Sequence, residues 1–170
     1  MAFRGLFDRG SAEPATRSPA THQRAPGTSI GYDPLLISNL RRDHRRLLDI
    51  FADAQSLLTT GDYTGVQRKL GELRVTLQDH LLLANTKLYI YVSRQLAADP
   101  ARTALVNVHR REMLENSREI MDFLRTYSAV RLDDQSAEMF QTELLVIGAA
   151  LMHRMERDES TLYPLYQASY

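Results

Sequence analysis

Residues 99–127, DPARTALVNVHRREMLENSREIMDFLRTY, open with an acid that can cap a helix and a proline at the first helical position. Behind that start, Val106, His109, Met113, Ile120, Leu124 and Tyr127 recur at spacings of three, four and seven residues. An α-helix turns about 100° per residue, so these six share one face. The stretch reads as a long amphipathic helix with a histidine inside its buried stripe.

The same punctuation recurs along the chain. Asp33-Pro34 starts a first helix that runs to about Thr59 and stops at Gly61. Asp62 caps a second, from Tyr63 to about Ala97, and Asp99-Pro100 starts the third, which ends near Ser128. Asp133 caps a fourth, which runs to the Tyr163-Pro164 step. The first helix carries Leu36, Leu40, His44, Leu47, Phe51 and Leu58 on one face. The second carries Val66, Leu70, Leu73, Leu77, His80/Leu81, Ala84, Leu88 and Val92. The fourth carries Phe140, Leu144, Ile147, Leu151, Met155, Asp158 and Leu162. Loops of a few residues between long helices make neighbours antiparallel. The expected fold is therefore all-α, an up-down-up-down antiparallel four-helix bundle over residues 33–170. Residues 1–32, with Pro14, Pro19, Pro26, four glycines and no periodic apolar face, read as a disordered tail in which His22 is inert.

Composition narrows the chemistry. Lys+Arg and Asp+Glu both count 21, so no net charge draws nucleic acid or anionic lipid. The chain has no cysteine, which removes disulfides, thiolate metal sites and thiol redox chemistry. A metal would have to be held by His, carboxylate, Tyr or water. No apolar run approaches a membrane span, and Met1 to Leu6 lacks a signal-peptide apolar segment. A cytoplasmic protein is expected, with neither nucleic acid nor membrane as partner.

His44, His80 and His109 sit on three different helices, about 15, 17 and 19 residues from the same end of the bundle. At 1.5 Å per residue their heights agree within roughly 6 Å. One shared site explains this better than three unrelated core histidines. An internal echo points to the fourth helix's share. His80, Ala84 and Leu88-Tyr89 on the second helix match Arg154, Asp158 and Leu162-Tyr163 on the fourth at identical spacing. Asp158 leans back toward the histidine level, because helical side chains tilt toward their N-terminus. His153 lies roughly opposite its helix's stripe.

Histidines on successive helices, followed by an acid shortly before a Leu-Tyr-Pro step, resemble the hemerythrin-like HHE cation-binding family. The matching pieces are RRDHRRLL around His44, LQDHLLLANTKLYIY around His80, NVHRREM around His109, and HRMERDESTLYPLY at residues 153–166. The resemblance covers about residues 35–166. It implies a non-haem iron centre inside the bundle and a protein that senses or buffers iron, oxygen or reactive small molecules, with a metal ion and O2 or another small ligand as partners. It also implies metal ligands at His44, His80, His109 and Asp158, with His153 joining if a local bulge turns it inward.

The chain departs from the family pattern at several of these positions. The bridging carboxylate expected four residues after the second helix's histidine is Ala84 here, and Arg154 stands where the fourth helix would carry a histidine. Met113 occupies the position four after His109. The remaining ligands fit one Fe(II) or Zn(II) ion better than the pair the resemblance implies. Arg154 can also pair with Asp158 at i, i+4 and close an empty site. The alternative expectation is a metal-free regulatory or protein-interaction module that keeps the fold. A His-phosphotransfer domain is disfavoured, since no Lys-Gly follows a histidine at the spacing those domains use. No nucleophile–base set, phosphate loop or paired core carboxylates appear, so no enzymatic activity is expected. Glu112 reads as solvated, Glu156 and Glu159 as surface partners of Arg154 and Arg157. Tyr89, Tyr91, Tyr163 and Tyr166 read as packing at the far end.

Overall fold

A computed structural model describes residues 24–25 and 27–168 of the chain. The described residues form the expected all-α bundle of four rods, with one isolated β-bridge, Arg24 to Gly31, as their only extended pairing. Helix α1 spans Leu36–Thr59. The second rod is α2 (Tyr63–Leu83), a π-helical turn (Ala84–Tyr89) and α3 (Ile90–Gln95). Helix α4 spans Pro100–Ala129. The fourth rod is α5 (Asp134–Arg157), a second π turn (Asp158–Leu162) and a 3₁₀ turn (Tyr163–Leu165).

The caps explain where the rods start. The Asp62 carboxylate accepts the Gly65 amide at 2.8 Å, and Asp99 accepts that of Arg102 at 3.0 Å. Asp133 and Ser136 form a reciprocal capping box. Each cap is worth about 1 kcal/mol. Asp33 acts earlier than expected: its carboxylate accepts the Leu35 amide at 2.9 Å, Pro34 and Leu35 form a turn, and α1 begins at Leu36. Gly61, at φ 74°, ends the first rod in the left-handed conformation that costs glycine least.

The periodic stripes are the buried faces; of the apolar positions named above, only Leu58 and Leu81 are half-buried rather than buried. Helices α1 and α5 approach closely at Gly148, where an added Cβ would stand 2.2 Å from Cζ of Phe51. The core comes in two apolar clusters. One, with Leu47, Leu70, Leu77, Ile120, Phe140 and Leu151, fills the half of the bundle nearest the Gly61 and Asp133 turns. The other, with Leu40, Ala84, Leu88, Tyr91, Met113 and Leu162, fills the half nearest the chain ends. Buried His44, His80 and Asp158 fall between them in sequence on their rods, and Arg154 lies one residue before Met155, the last member of the first cluster on the fourth rod.

Residues 24–25 and 27–32 are the described part of the stretch expected to be disordered. The Ala25 amide donates to the Ile30 carbonyl at 2.8 Å, Gly27 takes a positive φ, and the turn buries Ala25 in the second cluster. Tyr32 stacks on Tyr166 with ring centroids 5.0 Å apart. The Asp33 amide donates to the Tyr166 hydroxyl at 2.7 Å, joining the start of the first rod to the end of the fourth. The packed chain therefore reaches back at least to Arg24, because this short turn finds an aromatic seat that no periodic pattern announces. His22 and the rest of the expected tail lie outside the described residues.

Candidate functional site

The polar layer is built where two π turns interrupt their helices. The first starts four residues after His80 and the second four residues after Arg154, so the echo read in the sequence is also an echo of backbone shape. A π turn holds an extra residue, which advances everything after it by about 100° relative to an unbroken α-helix. That phase change turns Tyr89 and Tyr163 into the interior, 1 % and 4 % exposed. Neither turn lies between His153 and Asp158, where α5 is regular helix, so His153 stays on the exposed outer face.

His44, His80, Arg154 and Asp158 line one small cavity of about 30 Å³, together with Asn116, Ser117 and apolar walls from Leu47, Leu77, Met113 and Leu151. A buried water needs roughly 10–15 Å³ on this measure, so the space is of water size. His44 and His80 lie with ring centroids 4.8 Å apart. His109 is fully buried, but it does not line this cavity, and neither ring nitrogen has a hydrogen-bond partner. The structure thus gathers three of the expected ligands, His44, His80 and Asp158, and leaves His109 and His153 apart.

The gathered groups are occupied with one another. The Nδ1 of His44 lies 2.9 Å from a Glu159 carboxylate oxygen, and its Nε2 lies 3.0 Å from the Tyr163 hydroxyl. Burial pushes the His44 pKa below its ordinary value against the pull of Glu159. In the neutral tautomer that satisfies both contacts, Nδ1–H donates to Glu159 and Nε2 accepts from Tyr163. The Arg154 guanidinium donates to Asp158 in a very close contact and to the Tyr89 hydroxyl at 2.9 Å. Its Nη1 stands 3.6 Å from Glu112, which Arg157 holds at 2.8 Å. Burial raises the Asp158 pKa to about 6, with Arg154 pulling the other way. His80 is the exception. Its Nδ1 sits 3.7 Å from Asp43, beyond hydrogen-bond reach, and burial, then His44 and Arg154, push its pKa down to about 3.

Four partners in this layer differ from what the sequence suggested. Glu112 is half-buried and paired with arginine rather than solvated. Glu159 reaches His44 and Arg41 instead of Arg154 or Arg157. Tyr89 and Tyr163 bring hydroxyls into the polar layer, while Tyr91 and Tyr166 do pack at the far end. The Leu-Tyr echo was the available signal for the two inner tyrosines.

The family model for the hemerythrin HHE cation-binding domain matches residues 35–166, all four rods. The chain belongs to the hemerythrin family. No curated protein and no solved structure matches it. Hemerythrin-family domains bind cations, so the donor set here must be weighed against that role. The one acid on the cavity already holds a permanent guanidinium cation, which repels a second positive charge. Both nitrogens of His44 are taken, His109 is off the cavity, and Ala84 offers no donor. Among the described residues, no group of three or more His, Asp or Glu side chains converges in a way that could hold a metal. The residues present in this hemerythrin layer do not fit a resident metal ion.

Proposed function

We propose that this hemerythrin-family chain works without a resident cation, as a non-enzymatic regulatory or protein-interaction module of the cytoplasm. One observation carries the reading: the layer's one cavity-facing acid holds Arg154, and both nitrogens of His44 are held by Glu159 and Tyr163. With Asp158 and His44 engaged inside the layer, it is the outer surface of the bundle that is left to act on partners. No helix among the described residues is long and apolar enough to cross a membrane.

The second reading is a metal-binding protein that senses or buffers iron, oxygen or reactive small molecules. It would hold one or two non-haem iron ions, or zinc instead. It is favoured by the family's cation-binding character and by His44, His80 and Asp158 facing one cavity.

Metal analysis of protein grown in iron-supplemented medium and handled without chelators separates the two. The cation-free reading expects substoichiometric metal and a melting curve that EDTA leaves unchanged, because only a ligand bound to the folded state stabilises it. Stoichiometric iron or zinc, lost on His80→Ala together with a fall in melting temperature, would establish the second reading.

A further inference from the structure

A lone charge buried in an apolar core is costly, so a guanidinium 7 % exposed in the middle of a bundle needs a physical account. Arg154 lies in the last turn of α5, just before the second π turn, on the cavity shared with His44 and His80. Its contacts reach within its own rod and across to two others. It bonds Asp158 in its own rod, the Tyr89 hydroxyl at the end of the other π turn, and faces Glu112 of α4 at 3.6 Å. Three of the four rods therefore meet at one positive charge. The site's carboxylates compensate it, and Arg157 takes up much of the remaining charge on Glu112.

We infer that Arg154 is the resident cation of this bundle: its guanidinium does the electrostatic and cross-helix work that a bound ion does in a cation-binding core, tying α5, the first π turn and α4 through Asp158, Tyr89 and Glu112. The inference rests on the cation-free reading. Arginine suits the task better than lysine. Its Nη2 donates to both Asp158 and Tyr89 while its Nη1 faces Glu112 at ion-pair distance, so one delocalised charge serves partners from two nitrogens, whereas an ammonium is a compact, strongly hydrated point charge. The position also has a logic in the chain. Arg154 and His80 stand at the same distance before their π turns, so the fourth rod carries a fixed cation where the second carries an imidazole.

The test is a double-mutant cycle on the full chain, read by thermal and urea unfolding. Arg154→Met strands Asp158 and the Tyr89 hydroxyl, and a Tm drop on the order of 10 °C is expected. Asp158→Leu strands the guanidinium and should cost a comparable amount. The double variant replaces the ion pair by apolar groups and should recover more than half of the summed loss, because the two residues act as one unit. Losses that simply add would overturn the inference. If Arg154→Met does not fold, Arg154→Lys and Arg154→Gln decide the matter: the lysine variant should melt well above the glutamine one, and equal melting would remove the role of the charge. Tyr89→Phe should lower Tm in the wild-type chain and have little effect beside Arg154→Gln; an unchanged effect in both would break the cross-helix part. Metal content measured on the same preparations keeps the two ideas apart. A metal-loaded wild type refutes the cation-free reading, while an additive cycle in metal-free protein refutes the role of Arg154 alone.

Discussion

The turn after His80 and the turn after Arg154 share their backbone shape and their spacing, and each delivers a buried tyrosine to the polar layer. Their side chains differ. The first turn opens on Ala84 and follows a histidine whose Nδ1 has no hydrogen-bond partner, while the second opens on Asp158 and follows the arginine that binds it. The tyrosines also serve other rods than their own: Tyr89 answers Arg154 of the fourth, and Tyr163 answers His44 of the first. The comparison separates two roles that a cation-binding bundle would combine. The wide turn is a device for aiming a side chain inward, and it persists whether or not an acid stands at its start.

Making the first turn more like the second should have the largest effect. Ala84→Asp places a carboxylate in an apolar cluster with no arginine of its own, and a loss of about 3–5 kcal/mol is expected from urea unfolding. A stable Ala84→Asp variant would show that the first turn has room and charge to host an acid. Removing the tyrosine hydroxyls should matter less and unequally. Tyr89→Phe takes an acceptor from a charged group and should cost about 2 kcal/mol; Tyr163→Phe takes a partner from a neutral imidazole and should cost about 1. Equal costs would mean that the charge on Arg154 lends Tyr89 nothing.

The smallest effect at neutral pH, but a distinctive one below it, belongs to His80→Gln. The His80 imidazole has a pKa of about 3 in the fold against 6.5 unfolded. As pH falls through that window the unfolded chain takes up a proton that the folded chain refuses, so folding stability drops. Asp158 runs the other way: the fold keeps its proton up to about 6 while the unfolded chain releases it near 3.8, so its share of stability falls as pH rises. Because Asp158 is unchanged in the variant, comparing urea midpoints from pH 7 to pH 4 isolates His80. The wild type should lose stability more steeply than His80→Gln, and parallel curves would refute the shifted histidine.

Most of the bundle could be read from spacing alone. The acids at 62, 99 and 133 cap helices through the contacts expected of them, and the apolar stripes became the buried faces because each rod is regular along most of its length. The layer itself was only half legible. Counting residues along straight helices puts His44, His80 and His109 at one level, and the echo between the second and fourth helices adds Asp158; of these, His44, His80 and Asp158 share the cavity. At the π turns the buried face widens to take in Tyr89 and Tyr163 beside the expected Leu88 and Leu162, and Glu159, within the second turn, reaches His44 rather than an arginine of its own helix. His109 shows a different limit. Height along an axis says nothing of where a side chain points, and its ring ends outside the cavity at the level predicted for it.

The hydroxyl of Tyr166 accepts the amide of Asp33 and donates to its carbonyl, so the rods begin and finish at a single point. The bundle is in effect a closed loop of chain hung from one knot. Ala25 and Tyr32 pack at this same tyrosine end, opposite the Gly61 and Asp133 turns. The same closeness makes the molecule a natural subject for circular permutation, with residues 166 and 33 bridged by a short linker and new ends opened at Gly61, where the chain already reverses in solvent.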